Sequence, residues 1–374
     1  RIDLIRSAAW PLWYTYEIRT LFREGEGHIG RAVEMARGLL SAIEPGGNVA
    51  ERMQLETTLG CLLAYQAFFY LRLGRNDEAL GLFQSSISFL RKYQEPFLLS
   101  YALAHYGLAL WLVGRFEDAV PAVEESLALC RPLDDRWHMA LYTTFLGMVV
   151  VGKGDNELAY KILNRAMPMC RQLGDPRLIT LAVGFLSRAA QLLGKESEVL
   201  ALLQEGLQVA TETGDRFGMG LALERMAQAA QVKGEKAEAQ RLLKESIRLF
   251  HEAGDMWSLC RAYTVAGNLA LEESDLVRAR QSFIEAYKAG MTAKTPPSAL
   301  AALAGLVTVY SLEGRDEQAM ELAFLVLDHP ASPPDTRAGL EKICADLETR
   351  LKPRQVQAAH SKAGTLDLYF LGLE

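Results

Sequence analysis

The sequence predicts an all-α solenoid of antiparallel helix pairs, and two observations carry that prediction. A turn-like hexapeptide, which begins with glycine or once serine, recurs every forty residues over seven units without an insertion. Between the turns, apolar residues follow the three–four spacing of an amphipathic helix, and no stretch of strand length alternates with period two. The hexapeptides are GRNDEA at Gly74, GRFEDA at Gly114, GDNELA at Gly154, GKESEV at Gly194, GEKAEA at Gly234, SDLVRA at Ser274 and GRDEQA at Gly314.

These hexapeptides predict the tight turn inside each helix pair, because glycine adopts a positive φ at the least cost. A second series, also at forty-residue spacing, lies midway between them and predicts the joint from one pair to the next. Its members are LDDR at Asp134, GDPR at Gly174, GDRF at Gly214 and GDMW at Gly254. The aspartates of this series are predicted to cap the helices that follow; they are Asp135, Asp175, Asp215 and Asp255.

Small residues at fixed distances from the turns predict that the two helices of a pair approach closely. Five positions after the turn stand Ala79, Ala119, Ala159, Val199, Ala239, Ala279 and Ala319. Seven positions before it stand Ala67, Gly107, Gly147, Ser187, Ala227 and Gly267. Nine positions after it, large apolar residues such as Phe83, Val123 and Phe283 are predicted to pack against the next pair.

Together these glycine, small-residue and aromatic columns resemble the tetratricopeptide repeat over roughly residues 50–330. The unit here is forty residues long instead of about thirty-four, and it lacks the signature tryptophan and proline, so we expect longer helices. We expect about eight pairs over residues 1–334, wound into a right-handed superhelix. The resemblance implies that the first helix of each pair lines a concave groove.

The amino-terminal end departs from the repeat. Gly27–Ala32 is predicted to form the turn of a degenerate first pair over residues 1–49, and Glu44–Glu51 is predicted to be a loop. The chain begins at Arg1 and lacks the pattern of a secretion signal, so we expect it to be a piece of a longer protein.

The carboxy-terminal end departs from the repeat as well. Prolines in His329–Pro334 are expected to stop the last pair, and Asp335–Lys352 is predicted to be a capping helix. Residues 335–374 would then form a cap and tail. Within the tail, Leu366–Leu373 is short and apolar, and we expect it to be either docked or poorly ordered.

The composition argues against several classes of partner. The 374 residues are 50% hydrophobic and 23% charged, and their net charge of −6 comes without a basic run of five or more. We therefore expect no direct binding of nucleic acid or of an anionic membrane. The uncharged stretch Phe97–Gly114 is short for a membrane span and is predicted to be a buried helix. Five widely spaced cysteines predict buried free thiols and a cytoplasmic location.

Signatures of catalysis are missing from the sequence. There is no phosphate-binding GxxxxGK[ST] loop, no GxSxG elbow and no HExxH pair. The six histidines are scattered without the spacing of metal ligands. We therefore expect a protein that is not an enzyme and that holds neither a cofactor nor a metal ion.

The predicted functional surface is the groove formed by the first helices. Its positions are apolar in the amino-terminal half and become polar or charged from Arg188 onward. This change favours a peptide or a small amphipathic ligand, although deeper burial of the amino-terminal first helices would produce the same pattern. The predicted ligand-binding residues are Phe68, Tyr101, Leu108, Trp111, Met148, Arg188, Glu224, Gln228, Arg261 and Asn268.

Two of these residues carry the predicted polar contact. Arg188 and Arg261 are expected to pair with a carboxylate or phosphate of the ligand through a bidentate fork. Alternatively, Glu224 serves only to neutralise Arg188.

A narrower resemblance concerns the joints between repeats. LALCRPLDD (Leu127–Asp135), MPMCRQLGD (Met167–Asp175) and VLDHPASPPDTR (Val326–Arg337) look like the carboxy-terminal sensor region of signal-transducing ATPases with numerous domains. The maltose-regulon transcription activator belongs to that class. The resemblance implies an ATPase and an effector domain upstream in the same chain. It also implies that a peptide, protein or small-molecule inducer binds the repeats and relieves autoinhibition.

Other classes of protein fit the same repeats. A stand-alone interaction scaffold or a cytoplasmic peptide-pheromone receptor would use the groove without an upstream ATPase. A membrane-associated assembly factor is a third alternative.

Overall fold

The computed structural model describes residues 2–19, 21–44, 48–369 and 371–373. Within them the regular structure consists of helices without strands, which confirms the all-α prediction. The first nine helices are α1 (Ile2–Ile18), α2 (Phe22–Ser41), α3 (Val49–Arg72), α4 (Asn76–Lys92), α5 (Pro96–Leu112), α6 (Phe116–Cys130), α7 (Arg136–Lys153), α8 (Asn156–Leu173) and α9 (Pro176–Leu192). The others are α10 (Glu196–Thr213), α11 (Arg216–Val232), α12 (Lys236–Ala253), α13 (Met256–Glu272), α14 (Leu276–Thr292), α15 (Pro296–Leu312), α16 (Asp316–Asp328), α17 (Pro334–Arg350) and α18 (Pro353–Ala363).

The turns follow a spacing of twenty residues. Gly74, Gly114, Gly154, Gly194, Gly234 and Gly314 have positive φ, and so do Gly174, Gly214 and Gly254 of the second series. These observations confirm both predicted series of turns. Four further turn residues have positive φ without being glycine; they are Gln94, Asp134, Ser274 and Lys294. Gln94 and Lys294 were not predicted, because neither residue type marks a left-handed turn in a sequence.

The predicted helix caps are confirmed. The Asp175 carboxylate accepts hydrogen bonds from the backbone amides of Arg177 and Leu178 at the start of α9. Asp135, Asp215 and Asp255 accept in the same way from the amide three residues later. Each cap satisfies a helix-terminal amide that has no partner inside its helix.

The chain divides into two compact units, unit 1 over Arg1–Val149 and unit 2 over Val150–Glu374. In unit 1, α3 packs against α4 and α5 against α6, and the first helices α3 and α5 also touch. In unit 2, the pairs are α9–α10, α11–α12, α13–α14 and α15–α16, and the first helices α9, α11, α13 and α15 touch in order. We call the row of first helices in each unit its first-helix layer.

Close approach within the pairs explains the small-residue columns. Ala79, Ala119 and Ala279 are fully buried. A Cβ atom added to Gly267 of α13 would lie 2.6 Å from the Phe283 ring of α14. One added to Gly305 of α15 would overlap the same ring. Phe283 therefore packs against a glycine of its own pair, Gly267, and against a glycine of the next pair, Gly305. The sequence analysis predicted only the contact with the next pair.

The turn predicted at Gly27–Ala32 is wrong, because these residues lie inside α2. The glycines of α2 serve close packing instead. A Cβ atom on Gly25 would lie 2.6 Å from the Phe69 ring of α3, and one on Gly30 would lie 3.1 Å from the Gln66 amide nitrogen. The loop predicted at Glu44–Glu51 falls partly outside the described residues, at 45–47, and α3 already begins at Val49.

The carboxy-terminal segment is fastened to unit 2 by side-chain hydrogen bonds. The Arg337 guanidinium donates to the backbone carbonyls of Leu327, His329 and Ser332 and so folds the proline-rich loop before α17. Beyond α18, the Tyr287 hydroxyl donates to the Leu368 carbonyl at 2.6 Å. The Leu368 side chain is buried, so this part of the tail is docked.

We expect Ser274→Gly to stabilise the protein by about 0.5–1 kcal/mol, because a left-handed backbone strains every residue with a Cβ atom. The measurement is urea unfolding followed by circular dichroism. As the control, Ser282→Gly in the interior of α14 removes a side chain from a helical backbone and is expected to destabilise by about 0.5 kcal/mol. Loss of stability at Ser274 would contradict the strain argument.

We expect Gly305→Ala to destabilise unit 2 by about 1–3 kcal/mol, because the new methyl group overlaps the Phe283 ring. The control is Gly339→Ala in α17, where nothing lies within 4 Å of the added Cβ atom. There the better helix propensity of alanine is expected to add up to about 1 kcal/mol. Equal effects of the two changes on unfolding would refute the close-packing account.

Candidate functional site

The first-helix layer of unit 1 is aromatic. Two of the predicted ligand-binding residues, Phe68 of α3 and Tyr101 of α5, lie in this cluster, and both are buried. The ring of His105 stacks at a tilt on Tyr101, with 4.2 Å between the ring centroids. The aromatic cluster consists of Tyr65, Phe68, Phe97, Tyr101, His105, His138, Tyr142 and Phe145.

Helix α1 covers this cluster with two tryptophans. The Trp13 ring lies 5.0 Å from Phe68 and 5.4 Å from Tyr101, centroid to centroid. The Trp10 ring lies 6.0 Å from Phe97 and reaches His138 at 5.9 Å. The part of the predicted apolar surface that contains Phe68 and Tyr101 is therefore covered by a helix of the same chain.

An ion pair and a buried histidine complete the contact. Arg6 of α1 donates to the Glu95 carboxylate at 2.8 Å. His105 Nδ1 lies 2.9 Å from the Tyr101 carbonyl, and burial lowers the pKa of His105 to about 4. Its ring is therefore neutral at pH 7, and Nδ1 donates its proton to that carbonyl. The Trp13 indole nitrogen and the Tyr101 hydroxyl are buried without a hydrogen-bond partner.

The other predicted residues of unit 1 lie elsewhere. Leu108 and Trp111 are half-buried in the second half of α5. Met148 of α7 is only 3% exposed, which leaves little surface for a ligand. For Met148, deeper burial of the amino-terminal first helices therefore explains the apolar residue, as the sequence analysis gave in the alternative.

The first-helix layer of unit 2 holds a group of charged side chains. Glu224 of α11 is fully buried, and its carboxylate forms an ion pair with Arg261 of α13. The Arg225 guanidinium lies 3.8 Å from the same carboxylate and donates to the Gln228 amide oxygen at 3.0 Å. The Gln228 amide nitrogen donates back to Glu224 at 3.3 Å. We call Arg188, Glu224, Arg225, Gln228 and Arg261 the arginine cluster.

Arg188 of α9 faces a different carboxylate. Its guanidinium lies 4.0 Å from the carboxylate of Asp335, in the first turn of α17. The neighbouring Pro334 lies against the turn before α8, where a Cβ atom on Gly154 would be 3.4 Å from the proline ring. The start of α17 therefore reaches both α9 and the first turn of unit 2. Glu224 forms its ion pairs with Arg261 and Arg225, and not with Arg188.

Burial lowers the pKa of two arginines in the cluster. Loss of solvent lowers the pKa of Arg225 to about 9, and the charges of Arg261 and Arg188 add to this effect against the attraction of Glu224. Burial also lowers the pKa of Arg188, which Asp335 and Glu224 oppose. A pKa of about 9 still leaves the Arg225 guanidinium charged at pH 7.

Several residues of these surfaces were missed by the sequence reasoning. Arg225 stands nine positions before its turn, in the column where the earlier repeats have Tyr65, His105, Phe145 and Phe185. Reading that column would have found it. Trp10, Trp13 and Asp335 lie outside the repeats, and no periodic signal marks them. Asn268, which was predicted, is exposed on α13.

A second concave surface lies between α4, α5 and α6 of unit 1. It encloses about 670 Å³ and is lined by residues that include Gln84, Leu103 and Tyr106. The Arg91–Glu125 ion pair, at 2.6 Å, forms part of its lining. This surface is widely open to solvent, and α4 and α6 supply most of its lining.

Neither a metal centre nor a membrane span is found in the parts of the chain that are described. No three His, Cys, Asp or Glu side chains there come together as metal ligands. Across the same residues, every helix is too short or too polar to cross a lipid bilayer. The five cysteines are buried free thiols.

We expect unit 1 to lose stability between pH 6.5 and about 4 because of His105. An unfolded histidine takes up a proton near pH 6.5, whereas the folded protein holds His105 neutral down to about pH 4. The stability that the neutral His105 contributes is thus complete above pH 6.5. It falls by up to about 3 kcal/mol as the pH drops from 6.5 to about 4.

The measurement is urea unfolding at several pH values for the unchanged protein and for His105→Phe. The variant is expected to lose less stability with falling pH. His251→Phe, which changes an exposed histidine of α12, serves as the control and is expected to keep the original slope. Identical slopes for His105→Phe and the unchanged protein would contradict the assignment.

Comparisons with known proteins agree with this architecture. Residues 58–131 match the family model of the tetratricopeptide repeat. No curated protein sequence matches the chain. Among solved structures, the chain is similar to a Rap protein complexed with competence and sporulation factor, with a TM-score of 0.63 and 11% identity over 97% of this chain and 99% of that one.

Two further solved structures are similar along most of the chain. NprR in complex with its cognate peptide NprX has a TM-score of 0.56 and 13% identity over 96% of this chain and 97% of that one. A signal-transduction ATPase with numerous domains and a tetratricopeptide repeat sensor, from Pyrococcus horikoshii, has a TM-score of 0.50 and 14% identity over 91% of this chain and 53% of that one. At these identities the similarity establishes the fold. The chain has the helical-repeat fold of tetratricopeptide-repeat proteins, and its residues 58–131 carry the sequence pattern of that family.

Proposed function

We propose that the chain is a non-catalytic sensor domain that binds a peptide or protein segment on its first-helix layer. One observation carries this proposal: in unit 1 the layer already binds a helix, α1, through Trp10 and Trp13. A surface that accepts an amphipathic helix from its own chain has the shape and the apolar contacts that a helical ligand requires. In unit 2 the corresponding layer presents charged side chains.

The cellular context that we propose is the sensor region of a signal-transducing ATPase with numerous domains. The joints between repeats support this proposal, and so does the similarity to the Pyrococcus horikoshii protein, of which this chain spans about half. In this context the ATPase and effector domains belong to the same polypeptide. Binding of the inducer to the repeats then relieves autoinhibition.

A stand-alone peptide receptor is the second candidate. Its support is the similarity, along nearly the whole chain, to a Rap protein complexed with competence and sporulation factor and to NprR in complex with its cognate peptide. The two candidates share the binding surface and differ in what accompanies it. An upstream ATPase in the parent reading frame favours the sensor, and a frame without one favours the receptor.

The binding surface itself can be tested on the intact chain. We expect a phage-displayed dodecapeptide library to yield binding peptides, and calorimetry then gives their dissociation constants. Asn268→Ala, on first helix α13, is expected to weaken binding about threefold or more through loss of an exposed hydrogen-bonding group.

The matched control is Asn164→Ala on α8, which lies outside the first-helix layer. It is expected to leave the affinity unchanged. The proposal fails if the library yields no binding peptide, or if the peptides lose affinity with Asn164→Ala but not with Asn268→Ala.

A further inference from the structure

The arginine cluster of unit 2 contains more positive charge than its own buried carboxylate neutralises. Arg188, Arg225 and Arg261 bring three guanidinium groups together, and Glu224 is the fully buried anion among them. Asp335 is the other carboxylate that faces the group, and 57% of its side chain is exposed. One positive charge therefore remains uncompensated even with Asp335 in place.

The most buried of these cations is also incompletely bonded. The Arg225 side chain is 9% exposed, and its Nε has no hydrogen-bond partner. A buried cation without full compensation destabilises a fold. Strongly perturbed ionisable groups cluster at functional sites, so this surplus makes the cluster a candidate for binding an external anion.

The cluster also has an open edge. The Arg188 side chain is 31% exposed and the Arg261 side chain 16%, so both side chains reach the protein surface. The Arg261 guanidinium is held over the Trp257 ring, 4.6 Å from its centroid, and is thus fixed in direction. Asp335 stands 4.0 Å from Arg188, beyond hydrogen-bond distance, and therefore holds this edge weakly.

We propose that the arginine cluster is a carboxylate-binding site, and that Asp335 is an internal carboxylate which the acidic group of a peptide ligand replaces. This inference rests on the proposed function and names the chemistry of its ligand. A carboxylate is favoured over other anions because the chain itself places one at the open edge. Arg188 and Arg261 bind the incoming group, and Arg225 supplies the deep positive charge.

The first test uses defined probes on the intact chain. Acetyl-tetraglutamyl-amide is expected to bind saturably in calorimetry at low salt, and the binding weakens as salt is added. Acetyl-tetraglutaminyl-amide and inorganic phosphate are the comparison probes. Equal binding of the glutamine peptide, or tighter binding of phosphate than of the glutamate peptide, would overturn the carboxylate assignment.

The second test separates a ligand contact from a structural role. Arg188→Gln is expected to weaken binding of the glutamate peptide by about tenfold or more, with little change in melting temperature. Asp335→Asn is expected to tighten it about two- to fivefold, because the internal competitor is removed. Arg91→Gln, at a half-exposed, ion-paired arginine of α4, is the control and is expected to change nothing.

The outcomes distinguish this inference from the function on which it rests. If library peptides lose affinity with Asn268→Ala but ignore both Arg188→Gln and Asp335→Asn, the first-helix layer still binds peptides and the carboxylate site is refuted. If the glutamate peptide binds as expected and the library yields nothing, the carboxylate site is supported, whereas recognition of a particular peptide sequence by the first-helix layer is not. A lower melting temperature for Arg188→Gln with unchanged affinity assigns that arginine a structural role and overturns the inference.

Discussion

The spacing of twenty residues between left-handed turns is the constraint on which the rest of the structure depends. All thirteen positive-φ residues of the described chain obey it, from Gly74 to Gly314. Since the helices between them have nearly equal lengths, side chains at the same distance from their turns stack in columns along the layer. Glu224 and Arg225 lie ten and nine positions before Gly234, and Arg261 lies thirteen before Ser274. The charged cluster forms because these positions fall on neighbouring first helices.

Features that repeat could be predicted from the sequence, whereas features that occur once could not. The turns and the aspartate caps are local and recur, so several copies reinforce each prediction. The glycines of α2 led to a wrong prediction of a turn, because glycine occurs both in turns and at close helix contacts. The Phe69 ring against Gly25 shows that these glycines serve close packing. Trp13 and Asp335 contact residues about fifty to 150 positions away, and no spacing in the sequence relates them to those partners.

The candidate site was predicted in part for the same reason. Arg188 and Gln228 were found in the column six positions before the turns and Glu224 in the column ten before, and the structure brings all three together with Arg261, which was also predicted. The sequence could not show which arginines pair with Glu224, because that depends on the directions of the side chains. Its carboxylate turns towards Arg261 and Arg225, which leaves Arg188 to face Asp335. That arrangement leaves the edge of the cluster positively charged. The excess charge does not stabilise the fold, because burying an unpaired charge costs free energy.

Each unit has a segment of its own chain on its first-helix layer, and the two segments differ in how firmly they hold. In unit 1, displacing α1 would expose the rings of Trp10 and Trp13, which costs several kcal/mol of apolar burial. In unit 2, displacing Asp335 would break one exposed ion pair, which is worth about 0–1 kcal/mol. An intramolecular competitor lowers the apparent affinity of a ligand by the fraction of molecules in which it occupies the site. We therefore expect a ligand to meet a much smaller penalty in unit 2 and to bind first at the arginine cluster. On the same reasoning, the aromatic layer of unit 1 would accept only a ligand that replaces two tryptophans.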